Sequence, residues 1–528
     1  MIVLSLALII SAVLALALVP MFSTLAKSIG LVDKPDANRK LHANAIPMVG
    51  GLVLFTTVLI IAPLAIYFGV KFQPFFLGIG EAVLGWIPVD FGRRLIRIHP
   101  EDYRELLGLT IGSSILVLIG FIDDRFGMRG KKKLAGQIVA TSVLIYFGFQ
   151  FDKMVIAGFE INFGVFSILI VYAWVLGAIN SVNLLDGADG IAATIGVIMS
   201  MALSLLAIYQ GQMLNAIITM SITGALLGFL RYNFPPAKVY LGDTGSMLIG
   251  FLLAAMAIRC TFKHTSAFAF FAPLALLAIP FIDTSAAIVR RRLTGRSIFA
   301  VDRGHLHHSL MKRGYSPKIS LLWVALLSTM TAAGGVLSFV NEQSEYAIIA
   351  IMLVVIVMLS CRIFGIAEFQ LVSRKASTVA KSVFKIDRTL AHNAAVHVQG
   401  SRDWAQQWKL LSEFADEHDL VELTLDLNAP WLHESFNATW KKGESVGNEG
   451  QDWKSELPLI ANARCFGRLE LTGAGSLDHH RAIAEALKIA QSIELTLTDN
   501  IELATATNSP KLNSVENEAE LRAPNSTT

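Results

Sequence analysis

Long apolar runs recur along most of this chain and limit what it can fold into. A membrane-spanning helix needs about 20 mostly apolar residues. Runs of this kind lie at 2–22, 48–69, 106–122, 134–150, 163–180, 190–209, 213–230, 245–262, 267–288, 319–340 and 346–365. The sequence therefore predicts an all-α polytopic membrane protein with about 11 transmembrane helices.

Composition excludes a water-soluble globular fold. Hydrophobic residues make up 54% of the 528 positions and charged residues only 16%, whereas soluble domains carry roughly 25% charged residues. The three cysteines, Cys260, Cys361 and Cys465, lie far apart in the sequence, which favours neither a disulfide framework nor a zinc knuckle. The net charge of +3 is small for this length, and no nucleic-acid partner is expected.

Basic residues concentrate in alternate loops, and lysine and arginine are retained on the cytoplasmic side of membranes. The basic loops contain Lys34, Arg39, Lys40, Arg125, Arg129, Lys131, Lys132, Lys133, Arg231, Lys238, Arg290, Arg291, Arg292, Arg296, Arg303, Lys312 and Arg313. The opposite loops are poor in basic residues except for the segment 70–105, which we interpret as an amphipathic surface helix or an extra re-entrant pair. This distribution predicts an outer N-terminus and a cytoplasmic C-terminus.

The character of the chain changes after Phe364. Strand-like alternation at 421–427 and 467–471 and an amphipathic pattern at 482–497 predict a small cytoplasmic α+β domain. The tail is rich in Asn, Ser, Glu and Thr, which is typical of disorder. We predict a transmembrane domain over 1–368, an accessory α+β domain over 369–503 and a disordered tail over 504–528.

Polar clusters recur where successive predicted helices meet the cytoplasmic side. They comprise Asp123 and Asp124; Asn180, Asn183, Asp186 and Asp189; Asn233, Tyr240 and Asp243; and Arg303, His305, His307 and His308. Acids at a membrane boundary are costly and usually functional, so we expect one shared site. Carboxylates without thiolates favour Mg²⁺, which indicates metal-assisted phosphoryl or pyrophosphate chemistry. Lys131, Lys132, Lys133, Arg303 and the histidines would offset phosphate charge.

Each cluster also has a purely structural interpretation. The Asp-Asp pair fits a solvated helix end, the paired asparagines fit interhelical hydrogen bonds, and the Gly-Asp-Thr-Gly-Ser sequence at 242–246 fits a turn with a helix cap. The histidines fit a surface run, or a zinc site without a cysteine ligand. Their occurrence together at equivalent positions favours a site.

Two other classes of protein compete with an enzyme. A transporter should place charges near the span midplanes and show inverted repeats, whereas here the acids lie at the inner ends and no repeat is visible. A membrane-anchored sensor would leave the polar loops unexplained.

The polar segments resemble those of the polyprenyl-phosphate N-acetylhexosamine-1-phosphate transferase family (glycosyltransferase 4 family) over about residues 1–365. The segments are Val32–Pro35, Arg39–His42, Ile46–Gly51, Asp123–Arg125 with Lys133, Leu134 and Gln137, Asn180–Gly190, Gly242–Ser246 and His305–His308. The likeness is greatest to the branch that uses UDP-N-acetylglucosamine and undecaprenyl phosphate. The alternative is the phospho-N-acetylmuramoyl-pentapeptide transferases of peptidoglycan synthesis, whose Thr-Pro-Thr-Met-Gly-Gly and extended histidine–glutamate signatures are absent here. The chain departs from the family at Gly127, where a further acid often stands, and in 70–105 and the C-terminal domain.

The resemblance implies that N-acetylglucosamine 1-phosphate passes from the UDP-sugar to a polyprenyl phosphate, with release of UMP, as a first membrane step of envelope polysaccharide synthesis. Mg²⁺, with Mn²⁺ as the alternative ion, would be held by Asp243 and Asp124. Asp123 would position or deprotonate the acceptor phosphate, whose oxygen attacks the β-phosphorus. A covalent aspartyl phosphate on Asp123 is the competing mechanism.

The resemblance also implies roles for the other polar residues. Catalytic roles are assigned to Asp123, Asp124, Asp186, Asp189, His307 and His308, and binding contacts to Asn180, Asn183, Asn233, Tyr240, Lys133, Arg303 and His305. Asn183, Asp186 and Asp189 would line the nucleotide pocket, with Asn233 and Tyr240 near the uracil. His307 and His308, with Arg303, would hold the diphosphate or the sugar. The expected location is the bacterial cytoplasmic membrane, with the active site inside. A homodimer and the partner of the C-terminal domain are left open.

Overall fold

The computed structural model describes residues 2–33, 45–71, 100–150, 153–156, 159–262, 268–293 and 304–361, and further along the chain 392–399, 404–418, 420–429, 434–442, 452–461, 464–474, 482–491 and 494. Two compact units form. The first takes in Met1–Val289 and Gly304–Ile366, and the second Ala367–Thr528. The boundaries predicted at 368 and 503 both lie outside the described residues and stay predictions.

The first unit is helical. Its helices are α1 (Ile2–Ile29), α2 (Gly50–Lys71), α3 (Pro100–Phe126), α4 (Gly130–Tyr146), α5 (Phe166–Leu185), α6 (Ile191–Tyr209), α7 (Met213–Asn233), α8 (Gly242–Ala257), α9 (Phe268–Leu276), α10 (Ala278–Leu293), α11 (Leu306–Lys312), α12 (Pro317–Val340) and α13 (Glu345–Ser360). A π-helical turn, Ile258–Phe262, extends α8. Two small antiparallel hairpins join β1 (Val32–Asp33) to β2 (Ile46–Pro47) and β3 (Lys153–Ile156) to β4 (Phe159–Asn162).

Helical structure covers most of each segment that the sequence predicts as a span. Within the described ranges, eight helices are long and apolar enough to cross a membrane, or up to nine if the bent pair α9–α10 counts as one span. The predicted number of about 11 is therefore not confirmed. Helix α4 has 17 residues and begins with three lysines, and α13 has 16 residues. The chain is a multi-pass membrane protein.

Helix α8 forms the centre of the membrane unit. Every side chain from Thr244 to Ala257 is buried. Glycines let neighbouring helices approach it closely: a Cβ on Gly51 would lie 2.5 Å from the Gly245 nitrogen, and one on Gly120 would lie 2.4 Å from Thr244 Cα. These approaches bring the beginning of α2 and the end of α3 to the beginning of α8. We call this end of the bundle the site end.

Helix α1 packs on α7 through two glycines four residues apart. A Cβ on Gly224 would lie 2.2 Å from the Leu8 carbonyl oxygen, and one on Gly228 would lie 2.3 Å from the Ala12 carbonyl oxygen. Small residues at this spacing allow helix backbones in membranes to touch. The first helix is therefore an integral part of the bundle.

The second unit is a small α+β structure, as the sequence predicts. A five-stranded antiparallel sheet follows the order β5 (His392–Gln399), β7 (Glu434–Lys441), β6 (Leu420–Ala429), β9 (Arg464–Ala474) and β8 (Asp452–Ala461). Helix α14 (Ala405–Glu417) and a helical segment at 482–491 accompany the sheet. Apolar side chains such as Trp408, Leu423 and Trp440 form a core of its own.

Candidate active site

The beginning of α8 is held by the carboxylate of Asp124, near the end of α3. Asp124 Oδ1 accepts the backbone N–H of Asp243 (2.7 Å), and Oδ2 accepts the backbone N–H (3.1 Å) and the hydroxyl (2.6 Å) of Thr244. The first N–H groups of a helix lack partners within the helix and favour a negative charge. Gly242, at φ +74°, leaves no room for a side chain, since a Cβ there would lie 2.6 Å from Asp124 Oδ2. Asp124 thus fixes the backbone that carries Asp243.

Asp243 receives side chains from two other helices. Lys133 Nζ of α4 lies 2.7 Å from Asp243 Oδ2, and Asn183 Nδ2 of α5 donates to Asp243 Oδ1 at 2.5 Å. Asn183 Nδ2 also donates to Ser246 Oγ at 2.8 Å, one turn along α8. The carboxylate is therefore a meeting point of α4, α5 and α8.

Lys133 also pairs with Asp123, whose side chain is buried. Asp123 Oδ1 accepts the Met128 N–H at 2.5 Å, which fixes the loop between α3 and α4. Burial alone would lower the pKa of Lys133, but the charges of Asp243 and Asp123 outweigh burial, and the pKa lies above its ordinary value. The ammonium therefore stays charged at neutral pH and bridges the two carboxylates.

The loop from Asp186 to Gly190 adds two more acids. Burial, followed by the negative charges of Asp243, Asp124 and Asp189, raises the pKa of the Asp186 carboxyl well above its ordinary value. Asp189 Oδ2 accepts the Ala237 N–H at 2.9 Å. The acids at the ends of α3 and α5 and at the beginning of α8 thus influence one another electrostatically, and the neutral form of Asp186 is favoured.

Asn233 braces two loops of the site. Its Oδ1 accepts the Gly190 N–H at 3.1 Å and its Nδ2 donates to the Val239 carbonyl at 2.8 Å, and the side chain is only 3% exposed. Tyr240 follows in the second loop, where its backbone N–H donates to the Pro47 carbonyl at 2.8 Å. Burial, and then the charge of Asp189, raises the pKa of the Tyr240 hydroxyl. Asn233 therefore links the loop at Gly190 to the loop at Val239. Its predicted contact with a nucleotide stays a prediction.

Asn180 lies one helical turn before Asn183 and links α4 to α5. Its Nδ2 donates to Gln137 Oε1 at 2.7 Å and to the Leu176 carbonyl at 2.8 Å. Gln137 Nε2 in turn lies 3.4 Å from Met247 Sδ. These contacts fix how α4 presents Lys133.

The histidines pack on the loop that begins at Asp186. A Cβ on Gly187 would lie 2.9 Å from His307 Nε2, and His307 is 1% exposed. Neither ring nitrogen of His307 has a hydrogen-bond partner within the described part of the chain. Burial, and then the neighbouring His308 and His305, lowers the pKa of His307 well below its ordinary value. The ring is therefore neutral at neutral pH and can accept or donate one hydrogen bond.

Contacts join most of the predicted site residues at the site end. Direct contacts connect Asp123, Lys133, Asp243, Asn183 and, through the backbone, Asp124. Ring contacts connect His305, His307 and His308. Arg303 lies outside the described residues. The catalytic and binding roles assigned to these side chains stay predictions.

Two buried polar residues escaped functional assignment in the sequence. Gln137 belongs to one of the family-like segments but carries no predicted role, because its link to Asn180 is a tertiary contact that the sequence does not show. Asp283 lies in the predicted span 267–288 and contacts His305 and Leu306. An acid inside an apolar span was the available signal for Asp283.

The acidic cluster fits a divalent cation. Within the described ranges, no three His, Cys, Asp or Glu side chains are grouped as a ready-made metal site, but Mg²⁺ is usually held by one or two carboxylates together with substrate phosphates. Burial, and then the like charges of Asp243, Asp124 and Asp189, disfavours the ionised form of Asp186 by raising its pKa, and a bound cation would offset both effects. The predicted ligands Asp243 and Asp124 both use their oxygens in contacts within the protein, Asp243 with Asn183 and Lys133 and Asp124 with the beginning of α8. Which carboxylates hold the ion stays a prediction.

A cluster of acids and a lysine at one end of an apolar helical bundle defines a multi-pass membrane protein with a polar site at the ends of its helices. Residues 106–261 match the model of Glycosyl transferase family 4. This region spans α3 to α8, the part of the chain that carries Asp123, Lys133, Asn183 and Asp243, and the match confirms the resemblance found in the sequence.

Named relatives extend the likeness beyond that region. The chain is 29% identical over 325 residues to the "Probable undecaprenyl-phosphate N-acetylglucosaminyl 1-phosphate transferase" of Bacillus subtilis (strain 168), covering 61% of this chain and 81% of that protein. It is 32% identical over 264 residues to the "Decaprenyl-phosphate N-acetylglucosaminephosphotransferase" of Mycobacterium tuberculosis (strain ATCC 25618 / H37Rv), covering 46% of this chain and 65% of that protein. It is 28% identical over 375 residues to the "Undecaprenyl-phosphate alpha-N-acetylglucosaminyl 1-phosphate transferase" of Escherichia coli (strain K12), covering 70% of this chain and 90% of that protein.

Proposed function

We propose that this chain transfers N-acetylglucosamine 1-phosphate from UDP-N-acetylglucosamine to undecaprenyl phosphate or another polyprenyl phosphate, releasing UMP. The observation that carries the proposal is the junction of Asp123, Lys133, Asn183 and Asp243 at the site end, inside the region that matches the family. The names of the relatives support the sugar and the carrier, because each combines N-acetylglucosamine with a polyprenyl phosphate.

In the proposed mechanism, Asp123 and Lys133 orient the acceptor phosphate. The second pKa of a phosphate monoester is about 6, so the acceptor is largely ionised at neutral pH and its orientation matters more than removal of a proton. Lys133 brings a positive charge beside the carboxylates, where it offsets the negative charge of the reacting phosphates. A phosphate oxygen of the acceptor attacks the β-phosphorus of the donor, the bond from that phosphorus to the bridging oxygen breaks, and UMP leaves.

The contacts of Asp123 favour orientation over covalent catalysis. One of its oxygens accepts the Met128 N–H and the other faces Lys133. Each of these contacts draws electron density from its oxygen and lowers the nucleophilicity of the Asp123 carboxylate. Trapping of a labelled aspartyl phosphate after incubation with the donor alone would reverse this preference.

Asp243 and Asp186 would hold Mg²⁺, and Mn²⁺ is the alternative ion. Asp124 would fix Asp243 by accepting its backbone N–H. When bound, the ion would neutralise the donor diphosphate. On the protein side, Asn183 and Ser246 hold the Asp243 carboxylate in place. The neutral His307, beside Gly187, has unused hydrogen-bonding capacity for the donor phosphates or sugar.

The proposed setting is the bacterial cytoplasmic membrane, with the site end toward the cytoplasm, where nucleotide sugars are made. The reaction would be a first membrane step of envelope polysaccharide synthesis. Phospho-N-acetylmuramoyl-pentapeptide transfer is the second candidate from the sequence, and the names of the relatives reported above favour N-acetylglucosamine.

The test incubates purified protein with undecaprenyl phosphate, Mg²⁺ and radiolabelled UDP-N-acetylglucosamine, and measures lipid-linked label and UMP. We expect both products with the wild-type chain, loss of both in Asp243→Ala, and normal turnover in Glu160→Gln, which alters an exposed acid on β4. Products only with UDP-N-acetylmuramoyl-pentapeptide would replace the proposed donor. No product with either donor would contradict the proposal.

A further inference from the structure

Asp283 is a buried acid that the proposed chemistry does not use. It lies in α10, a helix of the bent pair that meets the criteria for a membrane span, and is 1% exposed. A carboxylate in such a place is costly unless hydrogen bonds satisfy it, and it usually marks a functional element.

Both oxygens of Asp283 contact the beginning of α11. Oδ2 lies 2.7 Å from His305 Nδ1, and Oδ1 accepts the Leu306 N–H at 2.7 Å. A carboxylate accepts hydrogen bonds and does not donate them, so the hydrogen of this contact resides on His305 Nδ1. Asp283 therefore sets the ring orientation of His305 and leaves Nε2 as the remaining polar atom of that ring.

The ring of His305 stacks with the ring of His307 and so affects how His307 is oriented. The two rings are parallel, with an interplanar angle of 3° and centroids 6.0 Å apart. His307 in turn packs against Gly187, which lies between Asp186 and Asp189 in the sequence. A continuous series of contacts thus runs from Asp283 inside α10 to the acidic loop of the site.

We propose that Asp283 is a positioning residue for phosphosugar transfer. Its carboxylate sets the tautomer of His305 and the beginning of α11, and thereby holds His307 against the loop that receives the donor phosphates. The kinetic test of this role rests on the proposed function. The structural test rests only on the contacts of Asp283.

The most direct variant is Asp283→Asn. The amide oxygen of asparagine can still accept the Leu306 N–H, whereas its NH₂ group cannot accept from His305 Nδ1. The change therefore keeps the helix contact, while the histidine contact can form only if His305 takes the other tautomer, with Nδ1 accepting from the amide NH₂. We expect kcat/KM for the UDP-sugar to fall about 10- to 100-fold, as for other residues that orient catalytic ligands, with little change in the thermal midpoint.

A double-variant cycle separates positioning from general stabilisation. If Asp283 acts through His305, adding Asp283→Asn to His305→Gln should change kcat/KM less than about twofold, because interacting residues are not additive. Multiplicative losses in the double variant would overturn the proposal. So would unchanged kcat/KM in Asp283→Asn alone.

Glu105→Gln is the matched control, since Glu105 is another buried acid, paired with Arg259 at the opposite end of the bundle. It should lower the thermal midpoint while leaving turnover per folded molecule unchanged. Equal losses of turnover in Glu105→Gln and Asp283→Asn would point to a purely structural role and overturn the proposal.

Hydrogen exchange tests the contacts independently of activity. Asp283→Ala should speed deuterium uptake at the Leu306 amide and through 304–312, and Asp283→Asn should change it much less. If the wild-type chain is inactive with every donor while this exchange pattern holds, the proposed function fails and the structural link stands. Unchanged exchange in Asp283→Ala would overturn the link itself.

Discussion

Lys133 neutralises two carboxylates at once. Its ammonium lies 2.7 Å from Asp243 Oδ2 and also pairs with Asp123. Breaking a largely buried charge pair from one side leaves uncompensated charge, so the loss of this lysine should affect the site more than the loss of any exposed lysine nearby.

We predict that Lys133→Met lowers kcat about 100-fold or more, since removal of one preorganised electrostatic group costs about that much. UMP release at saturating donor is the measurement. Lys132→Met is the matched control, because Lys132 is the preceding residue on the same helix and is exposed. Similar losses in both variants would contradict the assignment of Lys133 to the reacting centre.

The lowered pKa of His307 predicts how the free energy of unfolding depends on pH. Its pKa is lower in the folded chain than in the unfolded chain, chiefly because of burial. Below the unfolded value of about 6.5, the unfolded chain therefore binds a proton that the folded chain does not, and the free energy of unfolding falls as pH falls.

His307→Gln removes this contribution to the pH dependence. Without substrate, the drop in thermal midpoint between about pH 7.5 and pH 5.5 should be smaller in the variant than in the wild-type chain. An equal drop in the two proteins would mean that His307 is protonated in the fold despite its burial.

At the scale of elements, the sequence was sufficient to locate the helices and the polar loops. Apolar runs locate α1, α2 and α3, because a bilayer demands long uninterrupted helices. The run at 48–69 matches α2 to within two residues, whereas α1 ends seven residues after its run and α3 begins six residues before its run. Helix α4 has the predicted length but begins four residues before the run at 134–150. The 74° bend between α9 and α10 was not predictable, since it depends on tertiary packing.

Which acid contacts which partner was also beyond the sequence. Asp123 and Asp124 are adjacent in the chain, yet one pairs with Lys133 and the other closes the beginning of α8. Successive helical residues point about 100° apart, so neighbours in sequence meet different partners. Asp283 was missed for a related reason, since its partner His305 lies 22 residues further along the chain.

The contact of α1 with α7 gives a prediction for Gly224. A side chain at this position would collide with the Leu8 backbone, so Gly224→Val should lower the thermal midpoint by several degrees, corresponding to about 1–3 kcal/mol of overpacking. Leu227→Ala is the control, because Leu227 lies on the same helix and is 39% exposed. Equal midpoints in the two variants would show that α1 does not pack as described.

At the scale of the whole molecule, positive charge is unequal at the two ends of the bundle. Near the site end, Lys27 and Lys238 line one cleft, and Arg125 packs beside Gly30. At the opposite end of the described bundle, Arg259 is buried against Asp102 and Glu105, so its charge is compensated, and the exposed basic residues include Lys71 and Arg104. Because an excess of basic residues is retained in the cytoplasm, the site end should face the cytoplasm.

Cysteine labelling tests this orientation. In a background with Cys260, Cys361 and Cys465 replaced by serine, Lys131→Cys places a thiol near the site end and Gln343→Cys places one at the opposite end, and both positions are exposed. In intact spheroplasts, a membrane-impermeant maleimide should label Gln343→Cys and spare Lys131→Cys, and both should react once the membrane is opened. The reverse pattern would place the acidic site outside the cell, away from the cytoplasmic pool of nucleotide sugars, and would contradict the proposed donor as well as the orientation.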